Sequence, residues 1–191
     1  TRDWSSDVCS SDLLTVSEEH GADALRMALV SGSTPGNDMK LSGEKIVAMR
    51  NFVNKLWNLA RYVGTMSEKT DTEFKATTDA DRYLHHKLYE IVRNMTRHLN
   101  RYELSLAAEE LREFTWGDFA DWYVEIHKVE KNDAMLRYAF GIILRLWHPF
   151  MPFVTEAIHQ TFHFNESEFL MVAKWPSEKD ASFDRVKKED R

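Results

Sequence analysis

The sequence contains a single cysteine, four prolines and seven glycines among 191 residues, and it has no long apolar run. The lone Cys9 excludes an intramolecular disulfide framework and cannot by itself build a thiolate metal site. No stretch approaches the roughly 18 apolar residues of a spanning helix, and no basic region precedes an apolar run near the N-terminus. These absences predict a cytoplasmic protein that has no membrane partner.

The chain also has fewer basic than acidic residues, with 25 Lys and Arg against 31 Asp and Glu, which gives a formal net charge of -6. Non-specific affinity for phosphates grows with the number of Lys and Arg contacts, so this balance excludes a protein that coats nucleic acid through bulk basicity. Any RNA binding must come from a local patch. The composition, 43% hydrophobic and 29% charged, is that of one folded domain with at most a short appendage.

The first 13 residues differ in character from the rest of the chain. They read TRDWSSDVCSSDL, with no helical period, no strand alternation and an excess of Ser and Asp. They resemble a translated sequencing-adapter stretch, so we interpret residues 1–13 as a foreign arm and exclude them from the predicted fold. A natural disordered arm is the alternative.

The rest of the sequence repeats apolar residues every three or four positions, as amphipathic helices do. Ser17 is a candidate cap for a first short helix, which ends in the Gly- and Pro-containing loop from Ser31 to Asp38. Two long helices are predicted next, one that begins after the cap Ser42 and ends at Gly64, and one that begins at the cap Asp79 and ends at Tyr102. Three more are predicted at Leu104 to Lys131, with a bend near Gly117, at Asp133 to Trp147 and at Phe153 to Phe162. No internal repeat is present, so we predict an all-α fold, an antiparallel helical bundle.

One predicted helix presents a polar face that is not merely charged. Asn51, Lys55, Asn58 and Tyr62 recur at three- or four-residue steps, opposite the apolar stripe of the helix that ends at Gly64. Amide, ammonium and phenol groups on one outward stripe suit the recognition of a ligand. The alternative is that these side chains are solvated or bond neighbouring backbone.

The next helix is basic on its outer face. Between Arg82 and Arg101, five Lys and Arg residues stand against Glu90 alone, a local charge of 5 minus 1, or +4. Arg93 and Arg97 lie on this stripe. The stripe either follows an RNA backbone or pairs with the acidic helix that comes next, and both interpretations stay open because exposed pairs contribute only about 0–1 kcal/mol.

Five strings resemble the valyl-tRNA synthetase family of class I aminoacyl-tRNA synthetases, in the order the family has them. They begin at His20 (HGADALR), Ser31 (SGSTPGND), Arg50 (RNFVNKLWN), Trp116 (WGDFADWYVE) and His148 (HPFMPF). The resemblance implies the helical anticodon-binding bundle of that class. Isoleucyl, leucyl and methionyl synthetases share the bundle and are the nearest competitors, and a helical protein-interaction scaffold without an RNA partner is the alternative from another class.

The resemblance also divides the chain. Residues 14–42 correspond to the end of a linker from the catalytic domain, 43–165 to the anticodon-binding domain and 166–191 to a truncated C-terminal tail. The His-Ile-Gly-His and Lys-Met-Ser-Lys-Ser signatures of the family's catalytic domain are missing, so we expect a chain clipped at both ends that has no catalytic residue or cofactor and activates no amino acid alone. The full-length enzyme would be a valine-tRNA ligase that uses ATP with Mg²⁺.

By resemblance, Lys55 and Tyr62 contact the anticodon, and the helical phase adds Asn51 and Asn58 to them. Splayed anticodon bases are read by hydrogen bonds to their edges and by stacking on aromatic or Arg planes. We therefore expect the anticodon stem-loop of tRNA as the partner of a monomer. Arg93 and Arg97 are the candidates for contact with the tRNA backbone.

Two other patterns, a Glu and His triplet and a set of tryptophans, resemble a metal site and a cofactor site but predict neither. Glu156, His159 and His163 have a spacing that can place metal ligands on one helical face, but a thiolate or fourth ligand is missing, and His159 falls where the family usually has a tryptophan. We predict no metal site. Tryptophans at helical spacing mainly supply buried area, which predicts core positions for Trp57, Trp116, Trp122 and Trp147.

Overall fold

The computed structural model describes residues 10–32, 41–66, 76–164 and 167–177, and within these ranges the regular elements are helical, with no β-strand. The α-helices are α1 (Ser10–His20), α2 (Ala22–Val30), α3 (Gly43–Gly64), α4 (Asp79–Asn100), α5 (Leu104–Glu113), α6 (Val124–Glu130), α7 (Asp133–Trp147) and α8 (Pro152–Phe162). A π-helical stretch, Phe114–Tyr123, joins α5 to α6 and is called the π segment below. A single 3-10 turn, Leu170–Val172, follows α8. The all-α prediction is confirmed.

The beginning of the fold differs from the sequence-based expectation. α1 already begins at Ser10, so Ser17 lies inside a helix instead of capping one, and part of the supposed arm 1–13 is helical. The break comes at Gly21, whose φ of 91° glycine adopts without steric penalty. From residue 33 onward, the predicted loop Ser31 to Asp38 lies outside the described residues. Residues 1–9, 39–40, 67–75, 165–166 and 178–191 also lie outside them.

Side-chain caps fix where α3 and α4 begin. The hydroxyl of Ser42 accepts a hydrogen bond from the backbone N–H of Lys45 at 3.3 Å, as the sequence predicts. At α4 the cap is Thr78 and not Asp79, because Thr78 forms a capping box with Asp81. The predicted cap was therefore wrong by one residue.

Helix α7 lies at the centre of the bundle and contacts α3, α4, α6 and α8. Most of its apolar side chains are fully buried, including Phe140 and Trp147, as expected for the most apolar helix. The indole N–H of Trp147 donates to the hydroxyl of Thr115 at 3.0 Å and so joins α7 to the π segment. No helix within the described part of the chain is both long and apolar enough to cross a membrane.

Helix α2 is fastened to the bundle by two side chains of the HGADALR string. The carboxylate of Asp23 accepts hydrogen bonds from the backbone N–H groups of Phe153 (3.4 Å) and Val154 (2.6 Å) at the start of α8. A carboxylate is favourable there because helix N-termini carry partial positive charge. Arg26 donates to the carbonyl of Phe150 at 3.2 Å. These bonds hold the N-terminal helices against the bundle in a defined position.

Candidate nucleic-acid interface

The outer face of α3 presents the polar side chains that the helical period predicts. Asn51 and Asn58 are exposed, and 42% of the Lys55 side chain is accessible. The opposite stripe of the same helix is buried, with Leu56 only 2% exposed. The burial of that stripe sets the rotation of α3 and thereby turns its amides and ammonium group outward.

Tyr62 lies on the same helix but is half-buried. Its hydroxyl oxygen is 3.4 Å from Nδ1 of His127 on α6, and the two rings meet edge to face with centroids 6.3 Å apart. Nothing in the sequence pattern points to this long-range contact. The phenol therefore borders the bundle instead of projecting freely, and its contact with RNA stays a prediction.

The ammonium of Lys55 lies over the indole ring of Trp116 in a cation–π contact. The same ammonium is 3.9 Å from Oδ1 of Asp121. Both partners belong to the π segment. In a regular α-helix residues five apart point about 140° away from each other, whereas the i→i+5 ladder of a π-helix brings them to one side. The π-helical winding therefore lets one lysine meet Trp116 and Asp121 together.

A groove of about 890 Å³ runs between α3 and the helix formed by α5 and the π segment. Trp116 and the buried Phe52, whose ring centroids are 5.7 Å apart, supply aromatic surface to it. Its charged lining consists of two cations and two carboxylates, namely Lys55, Arg112, Glu109 and Glu113. The groove thus combines ring faces with hydrogen-bonding groups of both signs.

The arginines of α4 form a separate basic surface. Arg93 and Arg97 are exposed, and none of the ion pairs formed among the described residues involves either of them. His98 instead contacts the acidic side chains here: its Nδ1 lies 2.6 Å from a carboxylate oxygen of Glu103, the residue before α5, and its Nε2 lies 3.1 Å from a carboxylate oxygen of Glu110 in α5. Among the described residues, neither arginine forms an ion pair with the acidic helix that the sequence predicts from Leu104 to Lys131. The structure does not bring them into contact with the α3 face.

The Glu156, His159 and His163 triplet has other partners. The Glu156 carboxylate accepts from the backbone N–H groups of Leu170 (3.1 Å) and Met171 (3.2 Å). His159 is fully buried, with Nε2 at 2.7 Å from a backbone carbonyl oxygen, whereas His163 is exposed. In the part of the chain that the structure describes, no group of three His, Cys, Asp or Glu side chains is arranged to hold a metal ion.

The four tryptophans do not share one environment. Trp147 is fully buried, as the core prediction requires, and Trp57 and Trp116 are half-buried. Trp122 is 38% exposed and packs against the ring of Tyr83 with centroids 4.7 Å apart. The core prediction was wrong for Trp122, because the π segment turns that residue to the surface.

A family model described as the anticodon-binding domain of tRNA ligase matches residues 81–191 of this chain. Among curated proteins, the chain is 38% identical to the valine–tRNA ligase of Bacillus anthracis over an alignment of 180 residues, and the match covers 87% of the chain and 20% of that protein. It is 40% identical to the valine–tRNA ligase of Carboxydothermus hydrogenoformans over an alignment of 177 residues, and the match covers 86% of the chain and 20% of that protein. The chain thus spans about a fifth of the length of the curated relatives it matches.

The helical fold also occurs in a solved structure. It is the ternary complex of Agrobacterium radiobacter K84 agnB2 LeuRS with tRNA and LeuAMS, which superimposes with a TM-score of 0.71 at 18% sequence identity. The match covers 88% of this chain and 21% of that one. At this identity the likeness speaks for the helical architecture alone.

Proposed function

Given that this chain belongs to the family of anticodon-binding domains of tRNA ligases, we propose that it is the tRNA-recognising part of a valine–tRNA ligase. The relatives described above are valine–tRNA ligases at 38% and 40% identity, which supports valine over isoleucine, leucine or methionine as the amino acid of the whole enzyme. In that enzyme, tRNA(Val) would be charged with valine at the expense of ATP, with Mg²⁺.

The proposed ligand of this chain is the anticodon stem-loop. The observation that carries the proposal is the outward stripe of α3, where the amides of Asn51 and Asn58 flank the accessible ammonium of Lys55. Amide groups both donate and accept hydrogen bonds, and an ammonium donates three, so the stripe suits the edges of unstacked bases. Tyr62, one turn beyond Asn58, would add an aromatic surface at the border of the bundle.

Arg93 and Arg97 are the proposed contacts with the tRNA backbone. The formal net charge of -6 leaves no general attraction for phosphates, so uncompensated cations on one surface must supply it. Both guanidinium groups are exposed and lack ion-pair partners among the described residues. Phosphate contacts of this kind orient an RNA without reading its sequence.

The remaining properties of the whole enzyme follow from the same proposal. We place adenylate formation, with ATP and Mg²⁺, outside this chain, so the chain alone would activate no amino acid. We further propose a cytoplasmic location and a monomeric state. Residues 43–165 would form the anticodon-binding domain, with 14–42 as the linker that leads into it and 166–191 as the tail that follows.

Titration of the chain with labelled RNA tests this function. The probes are the anticodon stem-loop of tRNA(Val) and the same stem-loop with each anticodon base replaced in turn. We expect the valine stem-loop to bind at least about tenfold more tightly than the replaced ones, a difference of about 1.4 kcal/mol. Equal affinity for every stem-loop would contradict the proposal, and an absence of binding would favour a protein-interaction scaffold.

A further inference from the structure

We propose that the groove between α3 and the π segment is a site for one unstacked nucleobase that carries an exocyclic amino group. Trp116 would provide the stacking surface, and Glu113 or Glu109 would accept the hydrogen bond from the amino group. The inference rests on the proposed function, because it concerns the RNA that this function supplies. It adds a second wall, built by α5 and the π segment, to a recognition surface that the sequence pattern confines to the α3 stripe.

The ring face of Trp116 that a base would stack on is covered by a cation–π contact with Lys55. The ammonium of Lys55 lies on the face of the Trp116 indole, and its only ion-pair partner among the described residues is Asp121 at 3.9 Å. A base is planar and stacks on the same ring face that attracts the cation. Its arrival would move the ammonium off the ring, toward acceptors on the base or its phosphate.

The charge of the lining favours a base over a phosphate. Lys55 and Arg112 contribute two positive charges, and Glu109 and Glu113 contribute two negative ones, so the formal sum is zero. The two carboxylates of the lining would repel a phosphate. They accept hydrogen bonds from amino groups, as they do from the amino group of cytosine in other nucleic-acid complexes. Adenine, cytosine and guanine carry such a group, whereas uracil does not.

The groove is also open and held in shape. Its volume of about 890 Å³ lies within the range of about 300–1,000 Å³ typical of small-molecule sites. A Cβ atom added to Gly117, beside Trp116, would meet no other atom within 4 Å. On the other side of Trp116, the buried hydroxyl of Thr115 donates to the carbonyl of Leu111 at 2.7 Å. Trp116 therefore lies between Thr115, which is held by a hydrogen bond, and Gly117, which has unfilled space beside it.

The backbone geometry points to the same place. π-helical turns are rare and occur frequently at functional sites, and here Trp116 and Asp121 of the π segment meet the one lysine of the α3 stripe. Without that winding the two side chains would diverge. The π segment thus places Trp116 and Asp121 on the wall of the groove that faces α3.

The experiment uses the whole chain and the anticodon stem-loop of tRNA(Val), together with stem-loops that have an abasic site at each loop position in turn. We expect Trp116→Leu to lower affinity by about 5- to 100-fold, as for the loss of one base–aromatic stack, and Trp116→Phe to retain most of it. At one loop position the abasic stem-loop should bind Trp116→Leu and the wild type equally. At that position, inosine for adenosine or guanosine, or uridine for cytidine, should also weaken wild-type binding, because the amino group is removed.

Two further variants keep the test independent of folding defects. Gly117→Leu places a side chain into free space, so the fold should survive while the groove is blocked and affinity falls. Trp122→Leu removes a tryptophan that packs on Tyr83 outside the groove, and its RNA affinity should match the wild type. Unfolding curves of all variants check that each is folded.

The outcomes separate the two proposals. If Gly117→Leu and a folded Trp116→Leu bind the stem-loop like the wild type while Lys55→Met does not, the groove is no base site and the proposed function stands. If the wild type binds no stem-loop, both proposals fall. If removal of the amino group leaves affinity unchanged at the position found by the abasic series, the assignment of an amino-bearing base is overturned.

Discussion

The hydroxyl oxygen of Tyr62 lies 3.4 Å from Nδ1 of His127, a side chain that is only 3% exposed. Nε2 of the same imidazole lies 2.9 Å from Oδ1 of Asp133. Both ring nitrogens of His127 are thus engaged, Nδ1 by the phenol and Nε2 by the carboxylate. The first residues of α7 thus orient, through a buried histidine, an aromatic ring on the proposed RNA surface.

This arrangement predicts different effects for two substitutions of Tyr62. Tyr62→Phe keeps the ring and removes one hydrogen bond, so stability should fall by about 0.5–1.5 kcal/mol and stem-loop affinity should change by less than about threefold. Tyr62→Ala removes the ring and should weaken binding by about 1–3 kcal/mol. Stem-loop titration and urea unfolding check both values. A large loss of affinity in Tyr62→Phe would mean that the hydroxyl, and not the ring, contacts the RNA.

The α4 arginines should act through phosphates. Replacing Arg93 and Arg97 together by Ala should weaken the binding of all tRNAs alike and reduce the slope of log affinity against log salt by about 0.7–0.9 for each phosphate group that the variant no longer neutralises. Binding measured from low to moderate salt gives the slope. Arg82→Ala is the matched control, because Arg82 already pairs with Asp79 on the same helix. An unchanged slope in the double variant would exclude an interaction of these arginines with the RNA backbone.

The buried carboxylate of Asp81 makes part of the stability depend on pH. Burial acts to raise its pKa, but hydrogen bonds from Tyr123 (2.6 Å), Asn132 (2.6 Å) and the backbone outweigh burial and hold the pKa below its ordinary value. A carboxyl whose pKa is lowered by folding stabilises the fold above its unfolded pKa. That stabilisation disappears as the pH falls through the folded pKa, so unfolding free energy should drop steeply below about pH 4.

Two matched tyrosine variants test this role of Asp81. Tyr123→Phe removes the buried hydrogen bond to Asp81 and should lower the unfolding free energy at neutral pH by about 1.5–3 kcal/mol, the range for a bond to a charged group. The difference from wild type should shrink once Asp81 is protonated. Tyr83→Phe removes a bond of 3.0 Å from an exposed tyrosine to Asp118 and should cost less than about 0.5 kcal/mol. Equal effects at the two sites would contradict the role of burial.

Alanine at two helical glycines should shift stability in opposite directions. At Gly141 an added Cβ would lie 2.8 Å from the carbonyl oxygen of Phe164, so overpacking should cost about 1–3 kcal/mol. At Gly117 it would meet nothing within 4 Å, and the lower chain entropy of alanine should stabilise by about 0.5–1 kcal/mol. Thermal or urea unfolding of both variants measures the difference, and destabilisation at Gly117 would mean that the π segment requires glycine.

The helices could be predicted because their signals are local. The apolar period of α3 and α7, the Ser42 cap and Pro152 at the first turn of α8 all lie within a few residues of the boundaries they set. The start of α1 was missed, since Gly21 decides where the chain breaks and Ser17 only resembles a cap. A cap pattern shows only that a helix can begin at a given residue. Whether it does begin there depends on how the residues before and after that position pack.

The candidate site could be predicted only on its α3 side. Helical phase placed Asn51 and Asn58 outward, and both are exposed. The partners of Lys55 and Tyr62 could not be found this way, because Trp116 and His127 approach from other helices. The i→i+5 register of the π segment has no sequence period of its own, and Gly117 indicated only a bend.

The most direct test of the proposed recognition surface is the effect of Lys55 on anticodon discrimination. The measured quantity is the ratio of the affinity for the valine stem-loop to the affinity for a stem-loop with replaced anticodon bases. It is determined for the wild type, for Lys55→Met and for the control Lys45→Met. Lys45 is a suitable control because its ammonium donates to the carbonyl of Ser31, away from the outward stripe. We predict that Lys55→Met lowers this ratio by about 10- to 150-fold, which corresponds to the loss of one charged hydrogen bond of about 1.5–3 kcal/mol, while Lys45→Met keeps it. An unchanged ratio in Lys55→Met would contradict recognition of the anticodon by the outer face of α3.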